Sequence, residues 1–137
     1  MQSNRCVLTS YAKGLPTLDN FKNDTIEVST TLQPGEVLVK VVYISVDPYL
    51  RIRLKPTQTS GYFPPFELGK PITSHGIGKV LKSAHDQVQE GDHVTCGMLW
   101  QDIQVVKNPT KLDTDVPVDK YMSTLGLTAL TAYFGFL

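Results

Sequence analysis

The sequence predicts a mainly β domain that ends in one or two helices, and three observations carry this reading. Nine prolines and ten glycines are spread from Gly14 to Gly135, and most of them cut residues 1 to about 110 into short pieces. The pieces between the cuts are rich in β-branched residues and bounded by turn formers, the pattern of short strands. From Val118 to Leu137 proline disappears and apolar residues recur at helical spacing.

In chain order, Arg5–Thr9 and Thr25–Ser29 read as the first two strands. Pro34 and Gly35 form a turn dipeptide that opens the next one, Glu36–Val46. Within it Val37, Val39, Val41 and Tyr43 alternate with Leu38, Lys40, Val42 and Ile44. A strand apolar on most of both faces belongs inside a sheet rather than at its edge. Ile77–Lys82 follows, then a turn at Glu90–Asp92, then His93–Met98 and Gln101–Val106. Asp119 is placed to cap a helical segment at Lys120–Leu125. In the final segment Leu127, Leu130, Phe134 and Leu137 fall at i, i+3, i+7 and i+10, which predicts one apolar helical face.

Composition excludes several function classes. A chain of 137 residues holds one ordinary domain. Thirteen basic and thirteen acidic residues leave no net charge. Nucleic-acid binding needs a clustered basic surplus, so no nucleic-acid partner is expected. Neither a polybasic patch nor an apolar run of roughly 20 residues occurs, so no membrane partner is expected. The first residues lack the long apolar stretch of a secretory signal. Two distant cysteines, Cys6 and Cys96, are too few for a disulfide scaffold and fit a reducing, cytoplasmic setting. Cys96 reads as a small buried apolar residue, with no adjacent basic group to activate it. The chain closes on the apolar phrase Tyr133–Leu137, which reads as the front part of something longer.

Three phrases in order, Ser45–Arg53, Gly69–Val80 and Leu125–Gly135, together with the opening Val7–Thr17, resemble the N-terminal part of the medium-chain dehydrogenases/reductases. The closest branch is the zinc-free, NADPH-dependent alkenal and prostaglandin double-bond reductases. The resemblance implies a GroES-like, partly open β-barrel over residues 1–117, forming the substrate side of an active site. It makes residues 118–137 the start of the helical connection to a nucleotide-binding domain. No G-x-G-x-x-G loop occurs in the sequence. NADPH is thus the cofactor of the full-length family, with no binding expected from this chain alone. No zinc is expected either. The strand end Ser45–Pro48 lacks the ligand cysteine of zinc-using relatives, and Ser74 stands where their ligand histidine would be, with His75 shifted by one place.

The resemblance also nominates site residues, each beside a plainer reading. Asp47–Tyr49 is either a strand end, with Pro48 stopping the ladder, or the place where the Tyr49 phenol faces the nicotinamide or the substrate carbonyl. Arg51 and Arg53 are either solvated or pin the following loop. Gly61–Gly69 is either a stiff lid on the barrel or an apolar collar in which Tyr62 and Phe63 face the substrate. The residue matching Leu127 lies against the nicotinamide, and the one matching Thr131 hydrogen-bonds near its carboxamide. Alternatively Thr131 back-bonds to its own helix. Here Leu127, Thr128 and Ala129 stand where relatives commonly show Met-Pro-Gly.

The function this implies is the N-terminal part of an NADPH-dependent oxidoreductase that reduces the C=C bond of α,β-unsaturated ketones or aldehydes. A quinone reductase differs only in its acceptor. The alternative of another class is a truncated isoform or pseudoenzyme, a non-catalytic β-barrel binding module. The uncovered apolar helix further predicts a homodimer or other self-association.

Overall fold

The computed structural model describes residues 1–57, 63–113 and 115–137. The expected strands are present. They are β1 (Gln2–Leu8), β2 (Phe21–Glu27), β3 (Glu36–Ile44), β4 (Thr73–Ser83), β5 (His93–Leu99) and β6 (Ile103–Lys107). A two-residue strand β7 (Thr110–Lys111) follows β6, and two helices complete the elements, α1 (Pro48–Arg53) and α2 (Leu127–Phe136).

β3 to β7 form one five-stranded antiparallel sheet in the order β6-β3-β4-β5-β7, while β1 and β2 form a separate hairpin pair. Gly35 adopts φ 81°, the left-handed conformation that turns the chain into β3. β3 lies between β4 and β6, as its two apolar faces require, and Val37, Leu38 and Val39 are all buried. The β6 pairing stops at Lys40, however, and beyond it Val42 and Tyr43 are exposed.

The β1–β2 hairpin closes across the strand ends. Cys6 N–H donates to Trp100 O at 2.8 Å, and Asp102 N–H to Asn4 O at 2.9 Å. The Ser3 hydroxyl donates to Ile103 O and accepts from Ile103 N–H, at 2.8 and 2.9 Å. Two backbone layers are thereby joined into a partly open barrel.

Two apolar clusters hold it together. The first fills the sheet interior with Val37, Val39, Val80, Val94, Met98 and Val106, with Val88 from the adjoining turn. The second joins Leu8 and Ala12 to Leu50, Leu54, Phe66 and Ile72, with Tyr49 and Trp100 packed against it. Each such side chain contributes roughly 1.5–3 kcal/mol when fully buried. The second cluster fixes α1 to the barrel, and so it positions the candidate site.

Three expectations need correction. Asp47–Tyr49 is not a strand end: Asp47 is the N-cap and Pro48 the first residue of α1. Proline is favoured there because its missing N–H is one the helix start leaves unpaired anyway. Asp119 does not cap a helix at Lys120. It sits inside a short 3-10 turn at Val118–Met122 that follows Pro117. Finally, the apolar side chains of α2 are not confined to one face at Leu127, Leu130, Phe134 and Leu137. The helix ends at Phe136, and Leu127, Leu130, Tyr133, Phe134 and Phe136 are 65%, 53%, 61%, 70% and 96% exposed. Apolar side chains surround α2, so it carries no polar side to oppose an apolar one.

Candidate functional site

Tyr49 occupies the first turn of α1, half-buried against the second core cluster. Its ring lies 5.3 Å from that of Phe63, tilted by 38°. Phe63 itself is 44% exposed, so this aromatic pair forms part of the surface. Burial, and then the Asp47 carboxylate, push the Tyr49 phenol above its ordinary pKa, with Arg53 opposing them. The phenol therefore stays protonated at neutral pH and is available as a hydrogen-bond donor. The Asp47 carboxylate accepts from the Ser45 hydroxyl, while Asp47 O takes the Leu50 N–H at 3.1 Å.

The two arginines of α1 tie loops to the helix. Arg51 Nη2 donates to Gly14 O. Arg53 Nε donates to Pro64 O at 3.0 Å, and its guanidinium carbon lies 3.8 Å from the Phe66 ring centroid and 5.7 Å from that of Phe63. A guanidinium over two rings gains cation–π attraction and fixes the Phe63–Phe66 stretch against α1. Tyr62 lies outside the described residues.

Leu127 and Thr131 are one turn apart on α2. The Thr131 hydroxyl donates to Leu127 O at 2.8 Å, so its proton is spent within the helix and its oxygen can only accept a further bond. The Leu127 side chain lines a recess of about 380 Å³ together with residues of β4 and β5. Among the described residues none from α1 lines that recess.

A larger cleft, about 620 Å³, lies between the β1–β2 hairpin and the end of β3. Among the described residues none of the nominated ones lines it. Its polar groups mostly satisfy one another. Arg5 pairs with Asp24 at 2.6 and 3.1 Å, Asn4 Nδ2 donates to Asp102 at 3.0 Å, and the Thr25 hydroxyl donates to Asn4 at 2.8 Å. This is the seam that ties the hairpin to the barrel, and its size comes from the open barrel mouth.

Ser74 is buried and accepts the Trp100 Nε1–H at 2.9 Å. Among the described residues no group of three or more His, Cys, Asp or Glu side chains comes together. Burial raises the pKa of both Cys6 and Cys96, which leaves them poor nucleophiles. Sequence reasoning missed α1 as a helix, although the Asp47–Pro48 pair is a helix-start signal. It also missed the Ser74–Trp100 bond, which no local pattern announces.

Residues 4–114 match the family model described as the N-terminal domain of oxidoreductase. Bacillus subtilis YfmJ, named among the NADP-dependent oxidoreductases, is 39% identical over 95% of this chain and 38% of its own length. The NADP(+)-dependent 2-alkenal reductase of Nicotiana tabacum is 34% identical over 99% of this chain and 41% of its own length. The crystal structure of CurA from Vibrio vulnificus superposes with a TM-score of 0.88 at 28% identity, over 98% of this chain and 40% of that one. The chain thus spans about two fifths of the length of the relatives it matches. By sequence and by architecture, this chain belongs to the oxidoreductase N-terminal domains, the GroES-like barrel of the medium-chain dehydrogenases/reductases.

Proposed function

We propose that residues 1–117 form the substrate-side wall of an NADPH-dependent reductase acting on the C=C bond of α,β-unsaturated ketones and aldehydes, and that residues 118–137 lead into its nucleotide-binding part. The observation that carries this reading is Tyr49, a protonated phenol held at a helix start beside the half-exposed Phe63 ring. Bound NADPH would supply the hydride that adds to the β-carbon. The chain's own contribution is positioning and charge stabilisation. Tyr49 donates a hydrogen bond to the carbonyl oxygen, which gains negative charge as the β-carbon is reduced. Phe63 offers an apolar surface to the enone, and Tyr62 is assigned to the same collar. Water then protonates the α-carbon, which requires no strong base from the barrel.

The α2 residues fit one edge of a nicotinamide. Leu127 presents an open apolar side chain, and the Thr131 oxygen is restricted to accepting, as a carboxamide N–H would need. No phosphate-binding glycine loop occurs in the sequence. We therefore assign the grip on the dinucleotide to sequence outside this chain, and expect no useful NADPH affinity from the chain alone. The setting proposed is cytoplasmic. Among the described residues no helix is long and apolar enough to cross a membrane.

The test uses full-length protein with an enone, following loss of NADPH absorbance. Tyr49→Phe should lower kcat by roughly 10²-fold, the usual cost of removing one oxyanion donor, with KM for NADPH unchanged. No NADPH-dependent reduction of any enone by the wild type overturns the reaction. Full activity in the variant overturns only the role of Tyr49. A second reading, a non-catalytic binding module, draws its support from α2, whose exposed apolar surface suits a protein partner or a second copy.

A further inference from the structure

The recess beside α2 contains a histidine that the reaction above does not use. It is lined by His75 and Thr95 from β4 and β5, and by Tyr121, Leu125, Leu127 and Leu130 from the chain that crosses them. His75 Nε2 lies 3.0 Å from Thr95 Oγ1, and Thr95 Oγ1 lies 2.9 Å from Gly76 O. A carbonyl oxygen only accepts, so the single hydroxyl proton of Thr95 goes to Gly76. Thr95 Oγ1 must then accept from His75, which places a proton on Nε2. In the neutral imidazole this leaves Nδ1 as a bare acceptor. Among the described residues nothing donates to Nδ1.

The ring is therefore fixed in both orientation and tautomer at one side of an otherwise mainly apolar recess. His75 itself is exposed, while Ile77, two residues along β4 and on the same sheet face, is fully buried. A volume of about 380 Å³ lies within the 300–1,000 Å³ usual for small-molecule sites.

We propose that this recess binds a small apolar molecule, or the apolar end of a larger one, carrying a single hydrogen-bond donor such as a hydroxyl or amide N–H, which the Nδ1 atom of His75 accepts. The leucines exclude water from the body of the ligand, and the imidazole selects for the donor. A carbonyl or ether in the same position meets the Nδ1 lone pair and gains no bond. The recess shares Leu127 with the nicotinamide contact proposed above, and the probes are therefore titrated in the absence of NADPH.

The test titrates full-length protein, labelled with ¹⁵N-histidine, with 4-ethylphenol and separately with 4-ethylanisole, which matches the phenol but lacks its donor. The phenol should bind saturably and shift the His75 Nδ1 resonance. It should bind about five-fold more tightly than the ether, the worth of one neutral hydrogen bond. His75→Leu should abolish that preference while leaving the ether's affinity unchanged, and Leu130→Trp should fill the recess and weaken both probes. Equal binding of the two probes by the wild type overturns the proposal, as does a shift confined to His85 or His93. Absence of saturable binding also overturns it, since the recess is then closed in the complete protein. The wild-type comparison decides the matter even if a variant fails to fold.

Discussion

Gly78→Ala is the sharpest test of how the barrel is packed. Gly78 sits in β4 opposite Val41 of β3 and Val94 of β5, and it is buried. A Cβ added there would lie 2.9 Å from Val39 Cβ, 3.0 Å from Val39 Cγ2 and 3.1 Å from Met98 Cε. Comfortable carbon–carbon contact is roughly 3.5–4.0 Å, so each approach is too close by about half an ångström or more. The Met98 methyl can swing away. Val39 Cβ cannot, because it is bonded to the β3 backbone, so β3 and β4 must separate locally. Overpacking of this kind costs about 1–3 kcal/mol. Replacing glycine returns about 0.4–1 kcal/mol through the unfolded chain. The net loss should be about 1–2 kcal/mol. Gly97→Ala in β5 is the matched control, because nothing lies within 4 Å of its added Cβ. It should be neutral or stabilising by up to ~1 kcal/mol. Urea unfolding followed through Trp100, the sole tryptophan, reads both. At a slope of about 1–3 kcal/mol per molar urea, the two midpoints should differ by about 1 M. Coincident midpoints would refute the assignment of Gly78 to a crowded interior position.

Three further outcomes follow from the same contacts. Ser74→Ala leaves the Trp100 indole N–H without its partner and should cost roughly 1 kcal/mol, with a change in Trp100 emission. Unaltered emission would contradict the bond. Hydrogen bonding from Arg5 holds the Asp24 carboxyl below its ordinary pKa. A depressed folded-state pKa contributes stability above the unfolded value near about 3.9, and that stability is lost as pH falls through the folded value. Asp24→Asn should therefore be less stable than wild type at neutral pH and converge with it in acid, and a pH-independent gap in thermal unfolding would contradict this. Phe134, 70% exposed on α2, should drive self-association of the 137-residue chain, with Phe134→Asp lowering the mass seen by light scattering. A monomeric wild type would place the helix against its own barrel.

The strands were legible because their signals are local. Val37 to Ile44 announce an interior strand through side-chain alternation alone, and Pro34–Gly35 announces its start. The family was legible for the same reason, since its phrases are contiguous. The strand-end reading of Asp47–Tyr49 gave way to a helix. The Asp47–Pro48 pair suits both a strand end and a helix start, and only the packing of Leu50 and Leu54 into the second cluster selects the helix. The single apolar face read for α2 is too narrow, because Ala129, Tyr133 and Phe136 carry apolar side chains round to its other sides.

The sequence by itself therefore determined the mainly β class, where the strands lie along the chain, and the family. Those depend on neighbours within a few residues along the chain. The tertiary structure alone decided that Gly76 and Gly78 serve close packing between β3 and β5. It also decided that Ser74 serves Trp100, 26 residues away, and that His75 is locked by Thr95, 20 residues away. The physical reason is range. Propensity and alternation act over one turn or one pleat, whereas a hydrogen-bond partner or a crowded Cβ is set by sheet register, which exists only once distant strands have paired.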